Sequence, residues 1–85
     1  MVRLFEHGRD FVSRSEAKRL LLGLQVFRQV VLDFAGVRGV GQGFADEVMR
    51  VWPATHSAVQ IVPVNMSPEV AFMIQRATLA RATPR

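Results

Sequence analysis

"GVRGVGQGFADE", Gly36 to Glu47, sets four glycines in a dozen residues, between the apolar run "VVLDF" (Val30 to Phe34) and a helical pattern that begins at Phe44. Three roles compete for such a stretch: a phosphate cradle, a switch loop that a kinase modifies, or a short strand-to-helix connection. A dinucleotide fingerprint needs G-x-G-x-x-G. Counted from Gly39, the third glycine is replaced by Phe44; counted from Gly41, it is replaced by Asp46. A P-loop fails as well, because no Gly-Lys-Ser/Thr follows. Asp46 and Glu47 are expected in the first turn of the helix, where their charge complements the macrodipole and repels a phosphate. The simplest role for the glycines is positive φ and close backbone approach in a tight connection. That role still permits function, since loops at the carboxyl ends of parallel strands are where open α/β sheets bind ligands or partners.

The flanking segments supply the rest of the fold. "VVLDF" is short, β-branched and apolar, which predicts a buried strand. From Phe44 the period becomes helical: Phe44, Val48, Val51 and Trp52 share a face with Ala45 and Met49 beside it, while Asp46, Glu47 and Arg50 fall opposite. Pro53 is expected to end that helix. Upstream, Ser13 and Glu16 form a capping box that starts a helix whose buried stripe is Ala17, Leu20, Leu21 and Leu24, with Gly23 weakening its last turn. Downstream, "AVQIVPV" predicts an extended segment from Ala58 to Val62 or Val64, and Pro63 marks a strand end or an edge position. Ser67 then caps a third helix with Pro68 at its first position, Glu69 beside its positive end, and Val70, Met73, Ile74 and Ala77 as its buried stripe. With a further strand inside Val2 to Val12, the order strand, helix, strand, helix, strand, helix predicts an α/β domain: a largely parallel sheet of three to four strands with three helices. One domain fills residues 1–85, with a frayed tail from 79 to 85.

Composition narrows the function. The chain has 85 residues, 49% of them hydrophobic, enough for one core that removes roughly 60–65% of the unfolded surface from water. It has no cysteine, so disulfides, thiolate metal sites and a cysteine nucleophile are excluded. Arg3, Glu6, His7, Arg9 and Asp10 interrupt the first residues, so they form no signal-peptide core, and no later run has the length of a membrane span. A soluble, cytoplasmic protein with no membrane partner is the expectation. The net charge of +4 invites a nucleic-acid partner, yet the basic residues are scattered along the chain, which is weak support. Ten of the eleven are arginine, Lys18 being the one lysine. Arginine keeps its proton across the accessible pH range and by itself raises the pI.

The segments "SRSEAKRLL", "VVLDFAGV", "GQGFADEV" and "VPVN…SPEV" together resemble the STAS-like family of unknown function, a relative of the STAS domains of anti-sigma factor antagonists and sulfate transporters. The similarity spans about Phe11 to Arg76, with the blocks in family order. In the antagonists, as the resemblance implies, a loop after a strand ending in Asp carries a serine at the start of the next helix, and a partner kinase phosphorylates it to abolish binding. The equivalent place here is Gln42 or Gly43, and between Ala35 and Pro53 there is no Ser, Thr or Tyr. The resemblance thus implies the fold and the binding face, and withdraws that regulation. It also implies a partner, a histidine-kinase-like ATPase or a helix-turn-helix protein, in the same polypeptide or beside it.

On these grounds the expected function is a non-catalytic protein-interaction module in bacterial regulation or signalling, with no cofactor and no metal. The docking face is expected at Gly41, Gln42, Gly43, Asp46, Glu47 and Arg50. Asp46 and Arg50, spaced i, i+4 with the acid first, either solvate the helix or give that face a charged rim. Phe72 and Leu79 lie opposite the core stripe of the last helix, with Arg76 beside them. They suit a contact surface or a homodimer, unless both helix faces are buried. Ser13, Glu16, Asp33 and Ser67 are assigned structural roles. Asp33, inside an apolar strand, is expected to accept backbone N–H groups from the glycine loop or to face solvent, rather than act as a base. His7 and His56 are too far apart in sequence for a metal pair, and Ser13 and Ser15 beside Arg14 are read as cap and surface. Two rivals remain: a nucleic-acid accessory domain, if folding gathers Arg14, Lys18, Arg19, Arg28 and Arg76, and a small nucleotide binder using Asp33 and the glycines.

Overall fold

In a computed structural model, described for residues 1–7 and 11–82, three parallel strands form one sheet in the order β1-β2-β3: β1 Val2–Arg3, β2 Gln29–Asp33 and β3 Gln60–Val64. The register pairs Val2 with Leu32 on one side, and Val30 with Ile61 and Leu32 with Pro63 on the other. Proline sits on the outer strand, where its missing N–H breaks no ladder on the sheet's inner side. The strand expected within Val2 to Val12 is shorter than that span. After Arg3 the chain tightens into a 3₁₀ turn at Leu4–His7, and strand-like pairing returns only at Phe11, which bridges Val40 in parallel. Residues 8–10 lie outside the described part.

α1, Arg14–Leu21, starts on the expected capping box: Ser13 Oγ accepts from the Glu16 N–H at 3.2 Å, and Glu16 Oε1 accepts from the Ser13 N–H at 2.8 Å. It stops one turn before Leu24. Gly23, at φ 85°, swings the chain out of the helix, and Leu24 packs on the core from a separate 3₁₀ turn, Leu24–Val26.

α2 differs from the expectation at both ends. It spans residues 42–55 in three consecutive segments, Gln42–Asp46, Glu47–Val51 and Trp52–Thr55. Its start precedes Phe44 by two residues, with Gly41 as N-cap, so Asp46 and Glu47 occupy the second turn. It also runs through Pro53. The middle segment is a π turn, in which the Trp52 N–H reaches back five residues to the Glu47 carbonyl. In a regular α-helix the Pro53 ring would meet the Met49 carbonyl and leave it unpaired; a wider turn just before the proline relieves that clash. The change of pitch also rotates the helix. Glu47, expected on the polar face, is only 4% exposed, whereas Val51 is half-buried.

α3, Pro68–Ala82, is capped by Ser67, whose Oγ accepts from the Val70 N–H at 3.2 Å and donates to the Arg38 carbonyl at 3.0 Å. Four residues of the tail 79–85 are thus helical, and 83–85 lie outside the described part. Val70, Ile74 and Ala77 are buried as expected. Packing is continuous: α1 lies on α2, α2 on α3, and Leu4, Leu21, Leu32, Phe34, Phe44 and Val48 form the inaccessible centre. Phe11 and Phe44 meet with ring centroids 5.2 Å apart, a tilted contact that ties the segment before α1 to the first turn of α2. Among the described residues no helix is long and apolar enough to cross a membrane.

Candidate docking site

The glycine loop leaves β2 at the carboxyl end of the sheet and feeds α2, and its glycines do different jobs. Gly36 takes φ 85° against the Phe5 ring. Gly41 is needed for close approach: its N–H donates to the Phe11 carbonyl at 2.7 Å, and a Cβ there would overlap the main chain of Val12. Gly43 is different. A Cβ at 43 would meet Arg14 and the Val12 carbonyl at 3.5 Å, ordinary contact, so a side chain is tolerated there without strain.

The position borders a groove of about 440 Å³ between the starts of α1 and α2 and the middle of α3. Gly43, Ala45, Met73 and Ala77 give it a small-residue apolar floor, and Arg14, Gln42, Asp46 and Arg76 supply most of its exposed surface, which is polar. Gln42 and Gly43 are the first two residues of α2. Phe72, 58% exposed, extends the apolar surface along α3, with the Arg76 guanidinium 5.7 Å from its ring centroid, a cation–π contact. Leu79 is 63% exposed two turns further along the helix.

The two carboxylates of α2 are spoken for inside the chain. Asp46 accepts Arg50 in bidentate fashion, Nε to Oδ1 at 2.5 Å and Nη2 to Oδ2 at 2.7 Å, and takes Arg14 Nη1 on Oδ2 at 2.6 Å. Arg50 first, with Arg14 adding to it, holds Asp46 below the usual aspartate range against the opposing effect of partial burial, and Asp46 raises Arg50 in turn. Arg14 also lies 3.8 Å from Glu47. Thus Glu47 does not stand on the open face, and Asp46 presents only part of a neutralised cluster. A charge reversal at 46 would set three arginine-type charges together and disturb the fold along with any contact. The electrostatic objection to an anion at α2 weakens accordingly; the motif mismatch stands.

Asp33 accepts the Ala35 N–H at 2.9 Å and Asn65 Nδ2 at 3.0 Å, which hold its carboxyl below the usual range, the Ala35 amide most strongly. Its role is to join the ends of β2 and β3. Asn65 was not singled out from sequence; its φ of 57°, a conformation that asparagine tolerates better than most residues, is the signal that accompanies it. His56 stacks on Trp52, ring centroids 4.2 Å apart, and its Nδ1 lies 3.0 Å from the Trp52 carbonyl. The His7 side chain lies outside the described part. Among the described residues no three His, Cys, Asp or Glu side chains approach closely enough to hold a metal. Folding divides the five basic residues of the nucleic-acid alternative: Arg14, paired with Asp46, and Arg76 line the groove, whereas Lys18, Arg19 and Arg28 lie toward the opposite end of the sheet.

The model of a family described as a STAS-like domain of unknown function matches residues 16–71, the span that contains most of α1, all of β2, the glycine loop, α2, β3 and the first turn of α3. The chain belongs to that family. Neither the curated proteins nor the solved structures contain a match. In this STAS-like domain Gln42 and Gly43 lie at the edge and floor of the groove.

Proposed function

We propose that this STAS-like domain is a non-catalytic protein-interaction module of bacterial regulation, which docks a partner polypeptide in the groove between α2 and α3. One observation carries the proposal: the start of α2, where the resemblance to STAS antagonists places their regulated contact, opens into a groove edged by Arg76, which lies over the exposed Phe72. The polar residues that a catalytic reading would need are otherwise engaged. Asp33 is bonded to Ala35 and Asn65, and Asp46 to Arg14 and Arg50. With no hydroxyl on residues 36–52, occupancy would be governed by partner concentration and not by a phosphate in this loop.

A histidine-kinase-like ATPase or a helix-turn-helix protein encoded beside this chain is the partner to assay. Gly43→Arg fills the groove from a position with room for a side chain, and Phe72→Ala removes an exposed anchor, so neither should lower the melting temperature appreciably. Capture of the partner is expected to drop about tenfold or more with each, as for an interface anchor. Full capture by both variants would remove the groove from consideration.

A further inference from the structure

The other end of the sheet carries a different surface. Between α1 and β2 the chain turns through Leu22, Gly23, the 3₁₀ segment Leu24–Val26 and Phe27, and three apolar side chains project from this one turn. Leu22 is 81% exposed, Val26 76% and Phe27 54%. Gly23 takes φ 85° with nothing within 4 Å of a Cβ position, so the turn is open to solvent there, while Leu24 anchors it on the core. Single exposed apolar residues are ordinary, but three on six consecutive residues are not.

Charge is segregated to match. Glu6 follows β1, Asp33 ends β2, Glu16 and Glu69 lie in the first turns of α1 and α3, and Asp46 and Glu47 lie in the second turn of α2. Every described acid is therefore toward the carboxyl end of the strands. Residues 17–32, 48–68 and 70–85 contain no Asp or Glu. Around the apolar turn stand Lys18, Arg19 and Arg28, all exposed. Lys18 and Arg28 make no ion pair among the described residues, and Arg19 feels only Glu16, one turn back toward the other end. The loop before β3 meets this end too, the Gln60 N–H donating to the Arg28 carbonyl at 2.8 Å, and it brings no acid.

We propose that this tip seats the domain reversibly on an anionic lipid surface, with Leu22, Val26 and Phe27 entering the interface and Lys18, Arg19 and Arg28 facing the headgroups. Protruding apolar side chains need no complementary groove in a fluid interface, and cations beside them gain from negative surface potential. A second copy docked tip to tip fits poorly, since it would set like charges face to face, and one docked head to tail would set the apolar side chains against a polar, charged end. A polyanion such as nucleic acid would use the cations and leave the apolar side chains in water. The absence of a spanning helix does not bear on a surface contact, and the groove at the start of α2 lies at the far end, free to bind while the tip is seated.

The test is co-sedimentation with vesicles of phosphatidylcholine, with and without phosphatidylserine, with Gly43→Arg as a control for the groove. The wild type and Gly43→Arg should both partition to the anionic vesicles and leave the neutral ones. Replacing Leu22, Val26 and Phe27 together by serine should weaken partitioning about tenfold or more, from the lost apolar area. Each of Lys18→Gln and Arg28→Gln should weaken it about fivefold. Because all these side chains are exposed, circular dichroism should show the fold unchanged. Phe27→Trp gives a second reading: its fluorescence should shift to the blue with anionic vesicles, against the constant signal of buried Trp52. No sedimentation of the wild type overturns the proposal. So does binding that survives the triple serine change, or binding to a nucleic acid or an acidic protein but not to vesicles.

Discussion

The helices on either side of the groove begin in contrasting ways. α1 is capped by its own side chains, Ser13 and Glu16, within four residues of sequence. α2 has no side-chain cap; its N-cap is Gly41, and the Phe44 N–H is satisfied by the Val12 carbonyl at 3.1 Å, some thirty positions upstream. A local cap can form before the domain does, whereas a cap supplied by another segment exists only once the two have met. The difference also leaves the start of α2 with no side chain folded back over its first turn, and a groove opens there.

Breaking the distant cap should have the largest effect. Gly41→Ala drives a methyl group into the Val12 main chain, and a cost of about 2–3 kcal/mol is expected, lowering the melting temperature by roughly 10–20 °C. Thermal unfolding within a couple of degrees of wild type would show that the close approach does not hold in solution. The local cap is worth less: Ser13→Ala should cost about 1 kcal/mol. Its acid partner adds a pH signature. The Ser13 and Val12 amides hold Glu16 below the usual carboxylate range in the folded chain. Its contribution is therefore complete above the ordinary glutamate range and fades as pH falls through the lowered value. The stability gap between wild type and Glu16→Gln should accordingly narrow in acid; a gap that widens would reverse the assignment. The smallest effect is expected at Gly43→Ala, where a methyl group makes ordinary contact with Arg14 and better helix propensity should raise stability by about 0.5 kcal/mol. A clear loss of stability there would mean that the groove floor is packed.

How much could be read from the chain follows the same division. Ser13 with Glu16, three positions apart, and Ser67 directly before Pro68 announce helix starts because each signal lies within a few residues of sequence. The apolar run before Asp33 announces a strand, and the alternation of elements fixes a parallel sheet. α2 starts two residues before the expected Phe44 because Gly41 and Gln42 offer no side-chain cap; the Phe44 N–H is met by the Val12 carbonyl instead. Its end was misplaced because Pro53 normally stops a helix, and only the π turn at Glu47–Val51 lets the helix pass. That turn also explains the burial of Glu47, since a helical wheel of constant pitch cannot anticipate a rotation partway along. Of the expected docking face, Gln42, Gly43 and Asp46 do line one groove with Met73 and Arg76. The engagement of Asp46 by Arg14 was not visible, because nothing in sequence brings α1 beside α2.

Val12 joins both helix starts: its amide donates to Glu16 at 2.8 Å and its carbonyl receives Phe44, while its side chain is 61% exposed. Both services come from atoms that nineteen of the twenty amino acids possess, proline alone lacking the donor. A position of such structural weight can thus drift freely in letter while staying fixed in place, and a profile built from residue identities would pass over the joint that aligns the two helices.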